Sequence, residues 1–305
     1  MRFQVKIPKR WCGSSLHDVL EQCHPQSSSD EWQIRWANQQ VLVDGLKVDW
    51  FHVLQQGQHL EYWVDGYQEP NVPKNWQLLW ENESLLAVNK PAGLPVSQTT
   101  RHPETHLVGL VQQNGYPNAH LLHRLDQETS GILLLGKDQD AARLWQPKLH
   151  ELMIHKEYHA LVWGKPAWNK RSLECHLATR DTSPIRCRMH VCKQNESGQY
   201  SATHFEVLER YRDVSLIACR LETGRKHQIR VHLSHLGYPI VGDKIYSFDG
   251  YYFLKRLKSG LSENDYQILG SYFHLLHASK VKLIIGDYIN EITNNWNVMN
   301  RLLKG

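Results

Sequence analysis

The stretch His123-Arg124-Leu125-Asp126-Gln127-Glu128-Thr129-Ser130-Gly131 is polar and turn-forming, and it runs without a break into Ile132-Leu133-Leu134-Leu135-Gly136. A short apolar run bounded by glycines is too brief for a helix and reads as a buried strand. The chain must therefore build a sheet around this segment. A carboxylate beside an arginine then stands at the end of a rigid element, which fixes a side chain that a free loop would leave mobile.

With 305 residues, 41% hydrophobic and 22% charged, the chain has the size and make-up of a globular protein of two domains. No segment approaches the roughly 18 apolar residues that span a bilayer. The N-terminus, Met1-Arg2-Phe3-Gln4-Val5-Lys6, alternates like a strand and has no signal-peptide core, so a cytoplasmic protein is expected. The six cysteines form no Cys-x-x-Cys pair. Cys187, His190 and Cys192, with Cys175-His176 upstream, are poorly spaced for zinc, and reduced thiols are the expectation. The net charge of +4 permits an anionic partner. The 19 histidines and 11 tryptophans suit RNA, whose bases stack on rings, although most of the tryptophans are expected in the core.

Residues 1–68 read as a small separate module. Ser14-Ser15 can cap a helix through Leu16, Val19 and Leu20, and a second helix is expected over residues 31–38. Val41-Leu42-Val43 leads into the turn Asp44-Gly45 and on to Lys47-Val48, and Leu60-Glu61-Tyr62-Trp63-Val64 is a last strand. This order resembles the αL RNA-binding module of a small-subunit ribosomal protein, with Val43-Asp44-Gly45 and Gln56-Gly57-Gln58-His59-Leu60 as the matching residues. The resemblance implies an α+β module that touches RNA, with Arg35 on its second helix. Residues 69–75 are the expected linker, and residues 76–305 a second domain. There, Ser84-Leu85-Leu86-Ala87-Val88 is a strand, residues 97–119 form a polar, turn-rich stretch that could be mobile, and residues 141–152 an amphipathic helix. Further strands near Tyr158, over residues 201–208 and over residues 214–221 suggest a mixed, mainly antiparallel sheet.

A second informative stretch is Leu221-Glu222-Thr223-Gly224-Arg225-Lys226-His227-Gln228-Ile229-Arg230-Val231-His232. With Thr223 as N-cap, Gly237 closing and Pro239 beyond, a helix over residues 225–236 is expected. It carries Arg225, His227, Gln228, Arg230 and His232 opposite Ile229, Leu233 and Leu236, and its first turn suits a phosphate. The alternative is a solvated basic face. Tyr158 and Asp243 could converge on the same site, or serve as a cross-strand packer and a loop cap. Asp126 could equally bond the backbone near Thr129 and shape its own turn. An ionised Asp kept so by an adjacent Arg can attack an electrophilic carbon. A glycosidase would need a second carboxylate, and Glu128, two positions on, should point elsewhere. A kinase would need a Gly-rich phosphate loop. One carboxylate acting on an anionic, ring-bearing substrate remains.

The stretch at residues 123–131 resembles the His-Arg-Leu-Asp-x-x-Thr-Ser-Gly signature of the RluA-type pseudouridine synthases. Asn89-Lys90-Pro91-Ala92-Gly93, Lys156-Glu157-Tyr158, residues 223–230, Gly242-Asp243 and Leu276-His277-Ala278 match further family motifs in order. Ser247 departs from the glycine often found there. The resemblance implies an α+β fold, a mixed and mainly antiparallel sheet with a central catalytic cleft. It implies conversion of uridine within ribosomal or transfer RNA to pseudouridine, with no cofactor and no metal, by a protein expected to be a monomer. It implies that Asp126 is the nucleophile, that Tyr158 stacks on the uracil and acts as base at C2′, and that Arg230 pairs with Asp126. Arg124 would fill the gap left by the flipped uridine. Ile132 and its neighbours would supply a dry floor. His123, Arg225, His227, Lys90 and Lys156 are expected on the RNA.

Overall fold

Residues 1–23, 27–179, 182–193 and 196–302 are described by a computed structural model of the chain. They form two units: Met1–Val72 with Ser97–His106, and Pro73–Val96 with Leu107–Gly305.

In the first unit, strand β1 (Arg2–Lys6) precedes helices α1 (Leu16–Cys23) and α2 (Ser29–Ala37), then β2 (Val41–Val43) and β3 (His59–Trp63). The strands form an antiparallel sheet in the order β1-β3-β2. Trp32, Tyr62, Leu16 and Leu20 are wholly buried between the helices and the sheet. Helix α2 starts two residues before the expected position because Ser28 and Glu31 close a capping box. Asp44 and Gly45 take φ 51° and 78°, the two left-handed positions of a tight hairpin turn. No strand forms at Lys47-Val48; the Val48 carbonyl instead accepts from the Trp36 indole at 2.8 Å. The Glu69 carboxylate holds the backbone N–H groups of Glu104 and Thr105, and the Tyr67 hydroxyl donates to the Arg101 carbonyl. The polar, turn-rich stretch expected over residues 97–119 divides in two. Its first part is tied to the first unit, and its second is helix α3 (Leu107–Gln113), which buries Leu107 and Val111 one turn apart.

The second unit is built on β4 (Gln77–Glu81), β5 (Leu85–Lys90), β6 (His120–Leu121), β7 (Ser130–Gly136), β8 (Met153–Trp163), β9 (Lys170–Thr179), β10 (Met189–Val191), β11 (Gln199–Arg210), β12 (Val214–Leu221), β13 (Leu276–Ile285) and β14 (Tyr288–Thr293). Among the described residues these make one sheet in the order β10-β9-β11-β12-β8-β13-β7-β5-β4, with β14 on β13 and β6 on β7. Every pair is antiparallel except β13 with β7. The expected fold class, α+β with a mixed and mainly antiparallel sheet, is the one observed. Ile132, Leu133, Leu134 and Leu135 of β7 are buried on both faces, as a strand flanked by neighbours must be.

The helices of this unit after α3 are α4 (Gln139–Trp145), α5 (Leu149–Leu152), α6 (Gln228–His235), α7 (Tyr251–Ser259) and α8 (Glu263–Leu269). The single helix expected over residues 141–152 is two short ones, because Pro147 lies between them and lacks the N–H that would continue the first. Helix α6 begins at Gln228, not at Arg225. Thr223 does not cap it: its hydroxyl accepts from the Ala202 N–H and donates to the Gln228 side chain, which also takes the Arg225 N–H. That hydrogen bond also removes one of the amides expected to be free for a phosphate.

Candidate active site

Strand β13 brings the site together. Its Ala278 pairs with Gly131 of β7 on one side and Tyr158 of β8 on the other. The loop before β7 carries Asp126, so Asp126 and Tyr158 meet across one strand. Helix α6 then supplies Arg230. The Arg230 guanidinium donates from Nη1 to Asp126 Oδ2 at 2.7 Å, and from Nε and Nη2 to Asp243 at 2.7 and 2.9 Å. Arg230 and Asp243 are 6% and 0% exposed, and Asp126 is 31% exposed. The Asp126 carboxylate therefore does not close its own turn. The Thr129 N–H bonds the Asp126 backbone carbonyl instead, and Oδ1 takes no hydrogen bond from the described residues.

Burial works to raise the Asp126 pKa, but the charge of Arg230 holds it below the usual carboxylate range. Burial likewise opposes ionisation of Asp243, and Arg230 overrides it and pulls that carboxyl well down. Burial, reinforced by the Asp126 charge, pushes the Tyr158 phenol up. A small cleft of about 80 Å³ opens over these groups, with Leu125, Leu221, Ile229 and Leu276 as apolar lining and Arg124, His227 and Tyr158 at its polar edges.

The Asp126 loop is held from beneath at two points. Lys90 is wholly buried and donates to the carbonyls of Pro91, Leu94 and Gln127 at 2.9, 2.9 and 2.8 Å. Glu128 turns away from the pocket, as expected, to Lys244 at 3.0 Å, Arg256 at 3.3 Å and the His274 N–H at 3.2 Å. His274 in turn bonds the Thr129 hydroxyl at 2.8 Å.

Residues 84–235 match the family of RNA pseudouridylate synthases. An uncharacterised RNA pseudouridine synthase of Synechocystis sp. is 34% identical over 238 residues, 76% of this chain and 79% of that protein. The chain belongs to the RluA-type RNA pseudouridine synthases. A ribosomal large subunit pseudouridine synthase D of Xylella fastidiosa is 30% identical, over 92% of this chain and 84% of its own length. The human RNA pseudouridylate synthase domain containing 1 shares the fold at a TM-score of 0.60 with 22% identity, over 78% of this chain and 94% of that one. The enzyme isomerises uridine in RNA to pseudouridine.

The synthase does not place every expected RNA contact at the pocket. Arg124, Arg225 and His227 line it. Lys90 does not, since its ammonium is spent on three carbonyls under the loop; the sequence carries no sign of this because one acceptor lies 37 residues away. The His123 ring accepts from the Leu134 N–H at 3.1 Å and serves the fold. Lys156 is half-buried on β8, two residues before Tyr158. Arg35 lies in the first unit, over the Trp32 ring at 4.9 Å. Asp243 is both a loop cap, taking the N–H groups of Ile245 and Tyr246, and the main partner of Arg230. Its motif position was a signal, but its partner was not readable. Of the thiols and imidazoles weighed for zinc, His190 and Cys192 approach Glu196, their ligand atoms within 4.8 Å, while Cys175 contacts Ser201 and His232. No helix among the described residues is long and apolar enough to cross a membrane.

Proposed function

We propose that Asp126 is the nucleophile of the synthase. Its Oδ2 is held by Arg230 while Oδ1 stays free at the pocket, and this single observation carries the assignment. The Arg230 charge keeps the carboxylate ionised, and the one N–H it gives leaves an oxygen available for C1′ of a uridine flipped into the pocket. The Tyr158 ring stacks on the uracil. Its phenol is held protonated by burial and by the Asp126 charge, which disfavours Tyr158 as the base at C2′. Arg124, exposed at the pocket edge, takes the place the uridine leaves in the RNA.

The substrate is ribosomal or transfer RNA. Relatives carry both assignments in their names: the Xylella protein for the large ribosomal subunit, and a mitochondrial tRNA pseudouridine(32) synthase of Saccharomyces cerevisiae, 28% identical over 81% of this chain. The enzyme works as a monomer in the cytoplasm. Residues 1–68 act as an αL-type RNA-binding module joined through residues 69–75 to the catalytic domain, residues 76–305. The cationic side chains over its tryptophans, Arg35 on Trp32 and Lys47 on Trp36, support this.

Asp126→Asn removes a charge and keeps the shape. It lowers pseudouridine formation by about 10⁴-fold or more on unmodified RNA transcripts while RNA affinity holds. A mutant that still makes pseudouridine refutes the assignment. Pseudouridine mapping of total RNA from cells with and without the gene identifies the target uridine.

A further inference from the structure

His227 lines the Asp126 pocket, and the chemistry above does not use it. Its backbone takes φ 56° just before α6, a left-handed conformation that non-glycine residues seldom adopt. The side chain is 8% exposed, and Nε2 lies 3.8 Å from Asp126 Oδ2. On the other side of the ring, Nδ1 lies 3.0 Å from the Tyr246 hydroxyl. The two rings meet edge to face, centroids 5.7 Å apart at 87°.

Tyr246 decides which nitrogen carries the proton. It is buried, and its oxygen accepts the Met189 N–H at 2.8 Å. Its own hydroxyl proton still needs an acceptor, because a buried donor left unpaired is costly. Among the described residues, that acceptor is His227 Nδ1. The imidazole is then neutral, with its proton on Nε2, the nitrogen on the Asp126 side.

We propose that His227 is a catalytic residue whose Nε2–H donates to a carbonyl of the target uracil, O2 before the base turns and O4 after. This rests on Asp126 being the nucleophile. When N1–C1′ breaks, the bonding pair leaves with the base, and the uracil anion spreads that charge over both carbonyl oxygens. A donor already fixed beside them stabilises the charge without reorganising. Uracil is nearly symmetric about the line through N3 and C6. A half-turn about that line exchanges N1 with C5 and O2 with O4, so one fixed donor serves both bond cleavage and C5–C1′ bond formation. As C5 bonds C1′ the C1′–Oδ1 bond breaks and its electron pair returns to Asp126; water then takes the C5 proton and water protonates N1, so the step is a net isomerisation and the Nε2 proton stays in place. A charged imidazole would instead bind Asp126 as a second counter-ion beside Arg230. Burial, with Arg230 adding to it, keeps the ring neutral, its pKa pushed down to about 4.

Histidine ¹⁵N NMR of the RNA-free protein reads the tautomer directly, with His227→Gln assigning the signal. The expected spectrum shows a single Nε2–H form that becomes a mixture in Tyr246→Phe. On unmodified ribosomal RNA and tRNA transcripts, His227→Leu should lower the single-turnover rate by about 10²-fold with little change in RNA affinity. His227→Gln keeps an amide donor and should lose roughly tenfold or less. An Nδ1–H or charged ring in the wild type overturns the proposal, as does a His227→Leu rate within about threefold of wild type. If Asp126→Asn is inactive and His227→Leu is not, only the His227 assignment falls. If Asp126→Asn stays active, the nucleophile reading beneath it falls too.

Discussion

Arg230 has five N–H donors and shares them unequally. Its planar fork goes to Asp243, and only one of the three remaining N–H groups reaches Asp126. Had the fork met Asp126 directly, both oxygens would be tied up and neither left for the proposed attack. Asp243→Asn tests this division. The substitution keeps the shape but frees the guanidinium to turn its fork toward Asp126. Breaking a buried pair should cost about 3 kcal/mol in a urea titration. If Asp126 is the nucleophile proposed above, displacing its carboxylate should lower kcat by roughly 10²-fold with RNA affinity kept. An unchanged kcat would mean that Asp243 serves only to clasp the Ile245 and Tyr246 amides. At this scale the sequence was half legible. Asp126, Tyr158 and Arg230 stand in motifs and do converge. The fates of Lys90 and Glu128 were set by partners far along the chain: the Gln127 carbonyl for one, Lys244 for the other, 116 residues away.

The pairing of β7 with β13 holds the Asp126 loop to the sheet. Gly131 sits there with φ 104°, and a Cβ added to it would lie 2.3 Å from the Ala278 oxygen and 2.6 Å from its nitrogen. Both atoms are backbone and cannot swing away. Gly131→Ala should therefore destabilise the protein by about 3 kcal/mol or more, through overpacking and a strained φ together, measured as a lower urea midpoint. A stability loss below about 1 kcal/mol would mean the strands part cheaply and the pairing is not what fixes Asp126. The elements that the sequence revealed are those with local causes. The Leu85-Leu86-Ala87-Val88 and Ile132-Leu133-Leu134-Leu135 runs became β5 and β7, and residues 214–221 became β12. The elements it concealed have non-local causes. Helix α6 starts late because Gln228 reaches back to Thr223 and Arg225, and then across to Ala202 and Thr203 on β11. The strand at Lys47-Val48 is lost to the Trp36 indole, and neither competition is visible in a residue's propensity.

On the scale of the whole molecule, the second unit buries an unusual set of imidazoles. His123, His227, His232, His274 and His277 all have pKa values pushed down to about 4, in each case chiefly by burial. In the unfolded chain the same rings titrate near 6.5. Between pH 6.5 and 4 the unfolded state therefore binds protons that the folded state refuses. Stability rises with pH wherever the unfolded state holds more protons, so it is fully present above pH 6.5 and lost as the pH falls toward 4. The carboxylates of Asp126, Glu128 and Asp243, whose pKa values Arg230 and Lys244 hold down against burial, extend the same loss to lower pH as they protonate. Unfolding free energies from urea titrations at pH 8 to 4 should be level down to about pH 6.5 and then fall, by several kcal/mol in all before pH 4.5. Carboxylates alone would delay the fall until about pH 4.5, because their unfolded values lie near 4. An unfolding free energy that stays level from pH 7 to 5 would show these rings to be protonated inside the fold. It would also remove the neutral His227 on which the uracil contact depends, so the stability profile and the histidine spectrum must agree.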